Sequence, residues 1–63
     1  MTAIVIRIEV ENAAFDEEPN QAVGTILAQV FQRLRSEAPI TEVEPDWKLM
    51  DANGNTVGTV TAE

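Results

Sequence analysis

Asp51, Asn53 and Asn55 place side-chain oxygens at alternating positions, the opening pattern of a calcium-binding loop. A loop of the EF-hand kind closes with a bidentate Glu at its twelfth position and is held between two helices. Counted from Asp51, that position is Ala62, and the flanking residues are β-branched and aromatic. The same stretch, "LMDANGNTVG" from Leu49 to Gly58, contains Asn-Gly, the strongest short-range hairpin signal because both residues tolerate φ > 0. The hairpin is the preferred reading, and no metal is expected there.

Little other chemistry is on offer. The chain has no His, Cys or Tyr, so it lacks the usual general base near neutrality, the thiol nucleophile and the common zinc and iron ligands. Carboxylates remain, and paired carboxylates do acid-base work or bind magnesium where burial perturbs them. Here they fall in polar loops, so neither catalysis nor a cofactor is expected. Eleven acids against four bases give a net charge of −7. That balance repels phosphate backbones and anionic membranes and attracts basic surfaces, including those that bind nucleic acid. The partner expected is therefore a basic protein, with no direct nucleic-acid or membrane contact.

Sixty-three residues make one domain with one core, and such a chain buries only about 60% of the surface its unfolded form exposes. Small domains commonly add a disulfide, a metal or a second copy. Without Cys or His the first two are closed, leaving a very regular core or burial against another copy or partner. The opening "MTAIVIRIEVE" lacks a basic leader, and the longest apolar run falls far short of the roughly 20 residues of a spanning helix. The expectation is a soluble, cytoplasmic protein.

The elements that must position these acids follow from periodicity. In residues 3–11, Ile4, Ile6, Ile8 and Val10 share one parity while Val5, Arg7, Glu9 and Glu11 share the other, predicting a strand with one buried face. "NAAFDEEPN" reads as a loop into a helix, with Asp16 or Glu18 as cap, acids in the first turn and Phe15 tucked onto the core edge. Over residues 19–37, Val23, Ile26, Leu27, Val30, Phe31 and Leu34 form one helical stripe. The opposite face, Gln21, Gly24, Thr25, Ala28 and Gln32, is expected to meet water. Arg33 and Arg35 favour the carboxyl end, and Pro39 ends the helix. An acidic connector leads to strands at about 46–51 and 55–61. The fold expected is α+β, a single β-α-β-β domain with a three-stranded sheet and one amphipathic helix packed on one face.

The turn also predicts a register. A three-residue loop, Ala52-Asn53-Gly54 with Gly54 left-handed, pairs Leu49 with Val57, and a bulge at Gly58 brings Val60 opposite Trp47. This puts Trp47, Leu49, Val57 and Val60 on one face, so Trp47 is assigned to the core in preference to a partner-anchoring role.

Two resemblances bear on function. In length, strand-helix-strand order and "SEAPITEVEPDWKL", the chain resembles the small tautomerases of the 4-oxalocrotonate type, which use an amino-terminal proline as base after removal of the initiator Met. Thr2 stands at that position, so this likeness carries architecture and no catalytic residue. "IRIEVENAAFDEEP", "ILAQVFQRL" and "LMDANGNTVGTV" resemble a group of short acidic reading frames of bacteriophages and plasmids, with an Asn-Ala-Ala-Phe segment and a closing DxNGNxVG hairpin. That similarity spans roughly residues 6 to 60, departs at the long acidic connector, and implies a mobile-element origin.

The right-handed crossover rule makes strands 1 and 2 parallel in direction and strand 3 antiparallel to both, lying between them. Glu9, Glu11, Asp16, Glu17 and Glu18 then gather at one pole and Glu42, Glu44 and Asp46 at the other, about 27 Å apart along a helix of about 18 residues. These eight residues, with Asp51 weaker, are the candidate partner-binding site of a non-enzymatic inhibitor that occupies a basic surface of a host protein such as a defence nuclease. The alternative is a self-associating assembly module or homodimer. It would use a sheet face bearing Val5, Arg7, Lys48 and Met50, a free strand edge and the close-approach pair Gly24 and Ala28.

Overall fold

The computed structural model describes all residues 1–63. Strand β1 (Ile4–Ile8), a 3-10 turn η1 (Ala13–Phe15), helix α1 (Pro19–Ser36), strand β2 (Asp46–Met50) and strand β3 (Thr56–Ala62) follow in that order. The strands form one sheet in the order β1-β3-β2, antiparallel at both seams. The fold is α+β with a single helix packed on the sheet. β1 and β2 run in the same direction on either side of β3, as the crossover rule requires.

α1 starts at Pro19, which suits the first helical position because it has no N–H to leave unsatisfied. The acids stand ahead of the helix instead of in its first turn. Glu18 is the N-cap, its side chain makes no capping bond, and its carbonyl accepts from the Ala22 N–H at 3.0 Å. The segment read as a plain loop contains η1, capped by Asn12, whose side chain accepts from the Ala14 N–H at 2.9 Å. Phe15 is thereby turned fully into the core.

Six buried apolar residues make that core: Phe15, Ile26, Val30, Leu49, Val57 and Val60, with Ile8, Ala14, Ala22, Val23 and Trp47 half-buried around it. β1 contributes no fully buried side chain. Ile4, Ile6 and Val10 remain 38%, 44% and 51% exposed, and on the helix Leu27, Phe31 and Leu34 remain 43%, 59% and 42% exposed. The predicted buried face of strand 1 and the full helical stripe are corrected accordingly. The helix lies toward β2 and η1, anchored by Gln29, whose side chain donates to the Met50 carbonyl at 2.5 Å and accepts from the Met50 N–H at 3.2 Å. Arg33 stacks over the Trp47 ring, 5.2 Å from its centroid, a cation–π contact on the same flank.

At the hairpin Gly54 is left-handed, with φ +83, and Trp47 faces Val60, both as predicted. The bulge falls one residue earlier than expected: Leu49 pairs with Gly58 and Met50 with Thr56, so Val57 has no partner in β2. The three-residue loop itself forms as read: Asp51 donates its N–H to the Asn55 carbonyl at 2.9 Å and its own carbonyl accepts from the Gly54 N–H at 3.1 Å, which closes the loop over Ala52, Asn53 and Gly54 and leaves Met50 opposite Thr56.

Candidate functional site

The acids divide between the two ends of the strands. Glu9 and Glu11 follow β1, Asp16 caps η1, and Glu17 and Glu18 precede α1, so all five lie at the end where β2 runs into the turn. Glu42 and Glu44 lie in the connector and Asp46 opens β2 opposite Thr61. β3 spans the gap, about 20 Å at 3.4 Å per residue, so the two groups stay apart. All eight predicted site residues are exposed, and no three acidic side chains converge as metal ligands.

The ends differ in how far bases offset them. At the second, Arg33 pairs with Glu37 at 2.7 Å, and Arg35 lies nearby over the Phe31 ring at 5.8 Å. Glu63 sits at this end too, its backbone bonded to Ala3; it was not singled out because it lies beyond the strand expected at about 55–61. At the first end the one ion pair is Arg7 with Glu9 at 3.7 Å, both side chains more than 70% exposed, a geometry worth little in water. A cleft of about 320 Å³ opens here between Glu17, Glu18, Gln21 and Gln29 on one wall and Met50 and Asp51 on the other. Ala14, Ala22, Ile26 and Ala52 complete its lining, so it is a recess of mixed polar and apolar character beside the exposed carboxylates of Glu17 and Glu18.

One residue of this end acts inward. Asp51 is buried at 8% exposure. Its Oδ1 accepts from the backbone N–H groups of Asn53 and Asn55, both at 2.9 Å, and its Oδ2 from the side chains of Asn12 at 2.7 Å and Asn55 at 3.4 Å. Both oxygens that a calcium loop would aim at an ion are thus aimed at amide donors. Asn12 joins two distant motifs, since its Oδ1 caps η1 while its Nδ2 holds Asp51. The Asn-Ala-Ala-Phe segment and the Asp-Ala-Asn-Gly-Asn turn are therefore one hydrogen-bonded unit. An Asn placed one residue before a short helical turn was the available signal; its partner 39 residues away was not.

These donors hold the Asp51 carboxyl below the ordinary carboxylate value. The Asn55 backbone N–H is the largest cause, burial opposes it, and the Asn12 side chain, Asn53 N–H and Asn55 side chain add to the lowering. A carboxylate with a lowered folded pKa contributes stability that is complete above its unfolded value of about 3.9 and is lost as pH falls through the folded one. Asp51→Asn offers an amide to the Asn12 and Asn55 donors and is expected to lower the urea midpoint at neutral pH. The difference from the parent chain should shrink below about pH 4; a pH-independent difference would mean the charge plays no part.

No family model, no curated protein and no solved structure matches the chain. No helix is long and apolar enough to cross a membrane.

Proposed function

We propose that this is a non-enzymatic binding protein that occupies a basic surface of another protein, and that the end bearing Glu9, Glu11, Asp16, Glu17 and Glu18 leads the contact. The observation that carries the reading is that these five carboxylates are exposed at one end, with a single weak ion pair among them. Fields from such a cluster attract a cationic surface and speed association. The recess between the helix and the turn gives this end a place for a lysine or arginine side chain of the partner. Glu42, Glu44 and Asp46 form a second, partly offset contact. The resemblance to phage and plasmid reading frames makes a nucleic-acid-binding protein of the bacterial host, such as a defence nuclease, the natural target class, with the chain acting as its inhibitor.

The test is capture from a bacterial lysate with the parent chain and two reversed pairs, Glu17→Lys with Glu18→Lys and Glu42→Lys with Glu44→Lys. A captured basic protein should elute with rising salt, lose nucleic-acid binding while occupied, and bind the first pair about tenfold more weakly or worse, which is about 1.4 kcal/mol. The second pair should lose less. Equal affinity for parent and first pair at low salt would refute the reading.

A further inference from the structure

We infer that the open edge of β1, with the apolar helix flank above it, is the docking surface for a second copy of this chain, the two β1 strands pairing antiparallel about Ile6.

Backbone parity sets up this pairing. Ala3 and Glu63 exchange reciprocal bonds, and the Glu9 N–H reaches the Val57 carbonyl. With the register Val5 to Thr61 and Arg7 to Thr59, antiparallel alternation turns the odd residues of β1 toward β3 and leaves the N–H and C=O groups of Ile4, Ile6 and Ile8 facing outward. An exposed row of this kind is a template for another strand. The sheet's other edge differs: there Gln29 occupies both outward groups of Met50.

Side chains extend the template into a surface. Ile4, Ile6 and Ile8 share the face of Val60 and Leu49, on which the helix sits. Gln29 and Arg33 mark the helix flank over β2. Leu27 and Leu34 lie about 100° round from Ile26 in the other sense, so they overhang β1, with Phe31 beyond them. The exposed fractions of Ile4, Ile6, Leu27, Phe31 and Leu34 make a patch of a few hundred Å², at the upper range of what a monomer leaves in water. Two such patches, together with the newly covered strand backbone, reach the order of 1,000 Å² that a specific interface needs.

A second copy fits this surface better than an unrelated partner. A dyad at Ile6 sets Ile6 against Ile6, Ile4 against the second copy's Ile8, and Val5 against its Arg7. All three outward residues then pair reciprocally, and no like charges face each other directly. A dyad at Arg7 would oppose two guanidiniums. No carboxylate lies among the patch residues, so a basic partner finds nothing to hold there. The core of six residues, without disulfide or metal, also leaves the chain short of the burial that small domains obtain from association.

Charge separates this inference from the acidic contact proposed above. Two copies at −7 each repel, so salt should tighten the dimer while it loosens a basic partner. Sedimentation equilibrium is expected to show a dimer with a dissociation constant on the order of micromolar. Ile6→Pro removes an outward N–H that bonds nothing within the monomer, and such prolines are accepted on edge strands. It should keep its circular dichroism and dissociate at least about tenfold more readily.

Cysteine substitution gives an independent readout, because the chain has no cysteine of its own. At the dyad the Ile6→Cys pair would lie about 5.5 Å apart between Cα atoms, within disulfide range, and should cross-link on oxidation. Ile4→Cys, displaced by about 14 Å along the strands, should not. A strict monomer well above micromolar concentration, or equal cross-linking at the two positions, overturns the inference.

Discussion

Gly58→Ala will destabilise the fold by about 3 kcal/mol or more, the upper end of what overpacking costs. A methyl group built on Gly58 would sit 2.2 Å from the Arg7 carbonyl oxygen and 3.3 Å from both the Arg7 carbonyl carbon and the Ile8 Cα. These are backbone atoms of the neighbouring strand, so no rotamer change relieves the clash and β1 itself must move. The bulge explains the approach. Val57, next to Gly58, is the bulged residue of β3, unpaired opposite the step from Leu49 to Met50 in β2, and a strand that bends at a bulge brings backbones close where glycine alone fits.

At about 0.05–0.15 kcal/mol per residue, a domain of 63 residues holds roughly 3–9 kcal/mol in total. The substitution therefore removes at least about a third of it, and urea unfolding followed by Trp47 fluorescence should show a midpoint lowered in at least that proportion. Gly24 supplies the control of opposite sign: nothing lies within 4 Å of its built Cβ. Gly24→Ala should raise stability by up to about 1 kcal/mol through helix propensity. A parent-like midpoint for Gly58→Ala would mean that β1 yields to the methyl group freely.

Gly58 also marks where local reasoning stops. Asn53-Gly54, the strand parities and Pro19 are short-range codes, and the elements they specify formed as read, down to the left-handed Gly54 and the Trp47 to Val60 pairing. The bulge at Val57 was not coded in the turn, nor was the reach of Asp51, whose carboxylate organises that turn through donors from Asn12 as well as its neighbours. Composition alone drew attention to the acids, and their division between two ends followed from strand order. Their differing compensation did not, because it needs Arg33 beside Glu37 and a first end without a comparable pair. Parity was least informative about depth. It tells which residues share a face and says nothing of how far the covering element reaches. A helix about 10–12 Å across cannot cover three strands about 4.8 Å apart once Gln29 has drawn it to the β2 edge.

That shift makes neighbours on one helical stripe unequal, and Ile26 and Leu27 measure the difference. Ile26 is 2% exposed against Phe15, Leu49 and Val60, whereas Leu27 is 43% exposed. Ile26→Ala removes buried methylenes and leaves a cavity in a core of only six residues, and should cost about 3–4 kcal/mol. Leu27→Ala gives up a partial contact and should cost about 1 kcal/mol or less, provided both are measured in dilute solution. Raising the protein concentration should widen the Leu27 deficit and leave the Ile26 deficit unchanged. Burial against a second copy adds to stability by mass action, and only Leu27 lies on the flank that a second copy would cover. Equal costs in dilute solution would place the helix centrally over the sheet. A Leu27 deficit that ignores concentration would leave the β1 flank facing water.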